Sequence, residues 1–139
     1  MKSLPILCLG MAALLMAGCG LGYSGTYSAE LQLVEGKQET EKYPIQEKRE
    51  YWSRGADTTL ELKSNGRYVF TNADFIFEGD WWVAEKKRIA VRRDTQNGNR
   101  INPKLRKEVD RYYTIRPDGK LSIHYGPAES NLEIVFTKQ

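Results

Sequence analysis

The chain has 139 residues, with 21 Lys and Arg against 18 Asp and Glu. That length suits one domain with one core, the net charge of +3 is too small to argue for nucleic acid, and 11% aromatic residues argue against disorder. One histidine and two cysteines leave little material for a transition-metal site or for a nucleophile paired with a base.

In chain order, Lys2 precedes a largely apolar run from Leu4 to Met16, broken by Pro5 and Gly10 and followed by Ala17 and Gly18. This is the layout of a secretory signal peptide. The run is about a dozen residues, whereas a helix crossing a bilayer needs about 20. A buried core helix would carry polar positions at helical period, and the run has none after Ser3. The stretch Leu15-Met16-Ala17-Gly18-Cys19 resembles a bacterial lipobox. The resemblance implies that the Cys19 thiol receives a diacylglycerol, that cleavage precedes Cys19, and that the new amino group is acylated. Several acyl chains, at about 0.8 kcal/mol per buried methylene, make a stable anchor. Gly20, where an aspartate would hold a lipoprotein in the inner membrane, implies sorting to an outer membrane, facing the periplasm.

Residues 1–18 are then a signal peptide and 19–24 a lipidated N-terminus with a short tether, leading into a domain over 25–139. The mature chain has 121 residues and, with Lys2 the one charge removed, a net of +2. Cys8 leaves with the signal and Cys19 becomes a thioether, so no disulfide is expected.

From Gly25 the pattern is period-two alternation punctuated by Asn-Gly, Asp-Gly and Pro, the mark of an antiparallel meander. Gly25 to Val34 puts Tyr27, Ala29, Leu31 and Leu33 on one face. A polar segment follows at 35–56, with Pro44 and a charge-rich middle, read as a long loop or a frayed helix. Thr59 to Asn72 reads as two strands around Asn65-Gly66, a dipeptide suited to the positive φ of a tight hairpin. Phe75, Phe77, Gly79, Trp81 and Val83 then alternate with Glu78, Asp80 and Trp82. A turn near Glu85-Lys86 leads to Arg88–Arg93, a polar basic loop covers Asp94 to Lys107, and a further hairpin surrounds Pro117-Asp118-Gly119. Leu132 to Lys138 closes an expected eight strands, with no clear helix.

Eight such strands with one apolar face can close into an up-and-down barrel, which removes exposed edges. The run from Leu60 to Val91 is similar to a pattern in small lipocalin-like bacterial lipoproteins, including the N-terminal domain of copper-homeostasis envelope lipoproteins. It has a strand, Asn-Gly, an aromatic strand, then Gly79-Asp80-Trp81 and a short apolar strand. The resemblance implies an all-β, lipocalin-like barrel. The Cys-x-x-Cys of the copper-associated members is absent, so no metal or stress-sensing role is carried over, and no cofactor is expected.

Several residues stand out against this frame. Trp81 is expected to plug one barrel end, while Trp82 falls on the opposite face, where a large indole suits an interface unless the 35–56 loop covers it. Arg111 shares a face with Val109, Tyr113 and Ile115; if inward it needs a partner or an anionic ligand, and the other reading is exposure at the strand end. His124 falls opposite Leu121 and Ile123 and is expected exposed. Glu78 and Asp80 share an outward face beside basic neighbours. Lys86 to Lys107 holds nine basic residues against Asp94 alone, whereas Glu30 to Asp80 is acidic, eleven against seven. If Lys86, Lys87, Arg88, Arg92, Arg93, Arg100, Lys104, Arg106 and Lys107 form a surface for an anionic envelope lipid or polymer, they are expected to gather on one edge; the alternative is a loop kept soluble by its charge.

The sequence thus leads to a non-enzymatic, membrane-anchored envelope protein that binds a small apolar or anionic ligand or a protein partner. The alternative is a structural or inhibitory interaction module whose barrel is filled and whose outer surface works.

Overall fold

The computed structural model describes residues 22–54 and 58–139, so the signal segment and Cys19 lie outside the described residues. Among the described residues the strands are β1 (Gly25–Leu33), β2 (Thr59–Leu62), β3 (Arg67–Thr71), β4 (Ile76–Ala84), β5 (Arg88–Gln96), β6 (Asn99–Arg100), β7 (Arg111–Ile115), β8 (Leu121–His124) and β9 (Leu132–Lys138), with one helix, α1 (Ile45–Arg54). Each wall strand pairs antiparallel with the next, β9 returns to β1, and β4 pairs with β5, so eight strands close an all-β up-and-down barrel. The two-residue β6 is an extra strand hanging from the end of β5.

Two elements refine the sequence expectation. Of the loop and helix readings of 35–56, Ile45–Arg54 takes the helical one as α1, and it lies against β1 with the Arg49 Nε–H donating to Leu31 O at 3.1 Å. The Asp94 to Lys107 loop begins as strand and hairpin, since Asn97 and Gly98 both take positive φ, 52° and 79°, and turn β5 back into β6. At Asn65-Gly66 the hairpin forms as expected, but only Gly66 has positive φ, its N–H donating to Lys63 O at 3.1 Å. That is a longer turn closed by a left-handed glycine.

Alternation places Tyr27, Leu60, Leu62, Tyr68, Phe70, Phe77, Trp81, Ile89, Val91, Tyr113, Leu121 and Phe136 in one buried cluster that fills the barrel. Tyr113 meets Phe136 edge-on at 5.2 Å between ring centres. Gly79 is required where β5 bulges at Asp94, opposite Glu78 and Gly79: a Cβ on Gly79 would stand 1.8 Å from Arg92 O and 2.9 Å from Tyr68 Cε1.

The meander assigns the connections to two ends. The β2–β3, β4–β5 and β7–β8 turns share one end with the start of β1 and the finish of β9, here the terminal end. The connections containing α1, the β3–β4 turn, the β6–β7 loop and the β8–β9 loop share the far end. Trp81 closes the terminal end, its Nε1–H donating to Lys63 O at 2.7 Å. The barrel also extends past Gly25 toward the N-terminus, because the Tyr27 hydroxyl donates to Tyr23 O at 2.6 Å and Lys138 Nζ to Gly22 O at 3.2 Å. Residues 22 and 23 are therefore tied to the terminal rim.

A candidate anion-binding cleft at the far end

The far end is where cations and apolar groups meet. A cleft of about 320 Å³ lies between the end of β5 and the loop into β7, lined by Arg93, Gln96, Ile101, Leu105, Arg106, Lys107 and Asp110. The β5–β6 hairpin brings Ile101 to it, with Ile101 N–H donating to Asp94 O at 2.9 Å. A turn at Asn102, whose backbone oxygen accepts from Leu105 N and Arg106 N, presents Leu105 to solvent at 76% exposure. So large an exposed leucine flanked by Lys104, Arg106 and Lys107 gives the rim an apolar point inside a basic setting.

Within the cleft, Arg93 is held in place. Its guanidinium lies 3.6 Å over the Phe77 ring and its Nη2 donates to Asp110 Oδ2 at 2.8 Å, while its Nε is buried without a hydrogen-bond partner. Arg111, at the first residue of β7, faces inward beside it, 5.7 Å over Phe70 and 3.9 Å from Asp110. Arg111 is thus both inward and at a strand end, and its partners are an aromatic face and a shared carboxylate. Asp110 is committed to these two arginines, which leaves Arg106 and Lys107 as cleft cations with no acidic partner among the described residues. Beneath them the Tyr68 hydroxyl is buried and unpartnered, and burial, with Asp110 nearby, holds its pKa well above the ordinary tyrosine value.

The nine basic residues of 86–107 do not gather on one edge. β5 runs the full height of the wall, so Lys86, Lys87 and Arg88 lie at the terminal end, while Arg100, Lys104, Arg106 and Lys107 lie at the far end. Between them Arg92 is neutralised on the outer wall: its Nη2 donates to Asp80 Oδ2 at 2.7 Å. Asp80 also accepts from Arg67 at 2.9 Å, and Arg67 grips Asp94 with two bonds of 2.7 and 3.1 Å. The Arg92 and Arg67 hydrogen bonds, working against partial burial, hold the Asp80 carboxyl below the usual carboxylate range. Asp80 is therefore an ion-pair partner of two arginines.

Trp82 is on the outer wall at 38% exposure, in register with Ala90, which Tyr112 flanks from the other side. The segment containing α1 packs on β1, away from it. His124 is exposed, with Nε2 at 2.7 Å from Pro127 O and near Ser130 Oγ. Among the described residues no cluster of three or more His, Cys, Asp or Glu is placed to hold a metal ion. Sequence reasoning named Arg93, Arg106, Lys107 and Arg111 but missed Gln96, Ile101, Leu105 and Asp110. The Asn97-Gly98 hairpin signal was the clue that would have folded Ile101 back beside β5.

No protein-family model, curated protein or solved structure matches the chain.

Proposed function

We propose that this chain is a lipid-anchored protein of the bacterial envelope that binds rather than catalyses, taking an anionic amphiphile in the far-end cleft. The lipobox-like Leu15–Cys19 and the following Gly20 support the address, an outer membrane with the barrel in the periplasm. The ligand class rests on one observation: Arg93, Arg106 and Lys107 line the cleft against a single carboxylate, Asp110, already engaged by arginine, and Ile101 and Leu105 supply apolar contact. An anionic head suits the cations, and a short alkyl portion suits the two aliphatic side chains. The filled interior supports the companion reading of an interaction module working through its outside, and argues against a ligand inside the barrel.

Titration of the protein with octyl phosphate, followed by amide chemical shifts, tests this. Shifts are expected at Gln96, Ile101 and Leu105 to Lys107, and octyl glucoside should produce none. Arg106→Gln with Lys107→Gln should weaken binding at least about tenfold, since a hydrogen bond to a charged group contributes about 1.5–3 kcal/mol. Shifts scattered over the barrel, or equal binding by the double variant, would refute the cleft as the site.

A further inference from the structure

The terminal end carries a second surface of different character. Trp82 and Tyr112 stand on the outer wall 38% and 39% exposed, and Val83 stands at the rim, 43% exposed. The Arg88 guanidinium stacks 3.9 Å over the Tyr112 ring. Directly beyond, the β4–β5 tip carries Lys86 and Lys87, both at positive φ, 62° and 53°. Such a backbone favours glycine or asparagine, so two lysines here hold charge at a conformational cost. The neighbouring turns at the same end add Lys63 and Lys120, with Glu85 and Asp118 opposing, and Asp118 is paired to Arg116 at 3.2 Å.

This is also the end at which the chain enters the barrel. Gly22 is hydrogen-bonded to Lys138, and Tyr23 packs against the core. Three residue steps separate Cys19 from Gly22, at most about 10 Å of extended chain. An acylated Cys19 would therefore hold the terminal rim close to the lipid surface.

We infer that the β4–β5 hairpin, with Trp82, Val83 and Tyr112 and the cations Lys86, Lys87 and Arg88, is a foot that rests on the anionic phospholipid surface in which Cys19 is anchored. This rests on the lipoprotein reading. Tryptophan and tyrosine suit the membrane–water interface, where an apolar body and a polar tip are both solvated. Lysines within a Debye length of anionic headgroups are attracted to them. The foot also orients the molecule. With the terminal end on the membrane, the far-end cleft points into the aqueous compartment, so its ligand arrives from there rather than from the anchoring leaflet.

The full chain, processed in its host and reconstituted into vesicles of phosphatidylethanolamine with a minority of phosphatidylglycerol, provides the test. Some lipids carry bromine near the headgroup, and tryptophan quenching is the readout, with the intact mass reporting acylation. Quenching is expected, and Trp82→Phe should remove most of it. Lys86→Gln and Lys87→Gln, both on an exposed tip, should each lower the docked-to-free ratio about fivefold, from about 1 kcal/mol per basic side chain at an anionic surface. Acylated protein whose quenching is unchanged by Trp82→Phe, or is insensitive to both lysine variants, overturns the foot alone. A mature N-terminus without acyl chains overturns the foot and the anchor together.

Discussion

Trp81 and Trp82 are neighbours in sequence with opposite environments, and truncating each in turn tests the barrel alternation. Trp81 is 7% exposed within the aromatic cluster, and its indole N–H is bonded to Lys63 O across the β2–β3 turn. Trp81→Ala removes a large buried aromatic from a packed end, a change that costs about 3–5 kcal/mol. The lost indole bond to Lys63 O adds little, because that carbonyl still accepts from Gly66 N and, with Lys63 exposed, water can replace the indole. Trp82 loses contact with Ala90 on the outer wall, and cross-strand pairs contribute about 0.2–1 kcal/mol relative to alanine. Trp82→Ala should therefore cost about 1 kcal/mol. Urea melts of both variants, fitted with a shared slope, measure the difference directly. Equal losses would refute the assignment of Trp81 inward and Trp82 outward.

Three further outcomes follow from the geometry. Gly79→Ala drives a methyl group into the Arg92 backbone and the Tyr68 ring, so β4 must shift, and a loss of about 3 kcal/mol or more is expected in urea melts; a loss below about 1 kcal/mol would mean that the bulge relaxes freely. Tyr27, Tyr68 and Tyr113 all have pKa values raised chiefly by burial, so their contribution is complete below about pH 10 and lost as pH rises further. Tyr68→Phe, which deletes an unpartnered buried hydroxyl, should raise stability by about 1 kcal/mol and blunt the alkaline loss, as thermal melts across that range would record. Asp80 has its pKa lowered on folding, so its stabilisation is present above about pH 4 and lost as acid protonates it. Asp80→Asn should cost about 1 kcal/mol at neutral pH and flatten the acid limb of a stability–pH curve; an unchanged limb would mean that the Arg67–Asp80–Arg92 network is worth nothing measurable.

The sequence by itself determined the strands and their inward faces, because burial on one face of a sheet writes itself as alternation. Tyr27 and Leu31, Phe77 and Trp81, and Tyr113 all point where period two put them. Closure also followed, since eight sequential antiparallel strands with one apolar face leave few other ways to hide their edges. The helix Ile45–Arg54 was legible only as one of two readings beside a loop: its segment is polar and charge-rich, and it contacts the barrel at β1 through few groups, Arg49 among them, so no apolar stripe announces it.

What only the tertiary structure decided is where the charges go. Nine basic residues in twenty-two positions look like one surface, yet a strand the height of the wall sends Lys86 and Lys107 to opposite ends, and cross-strand register hands Arg92 to Asp80 and Arg93 to Asp110. Sequence spacing measures distance along the chain, whereas electrostatics depends on distance through space. In an up-and-down barrel each strand converts a short separation in sequence into the full length of the molecule, and each hairpin reverses it. The cleft exists for the same reason, because Ile101 and Leu105 become neighbours of Arg93 only once Asn97-Gly98 turns the chain back.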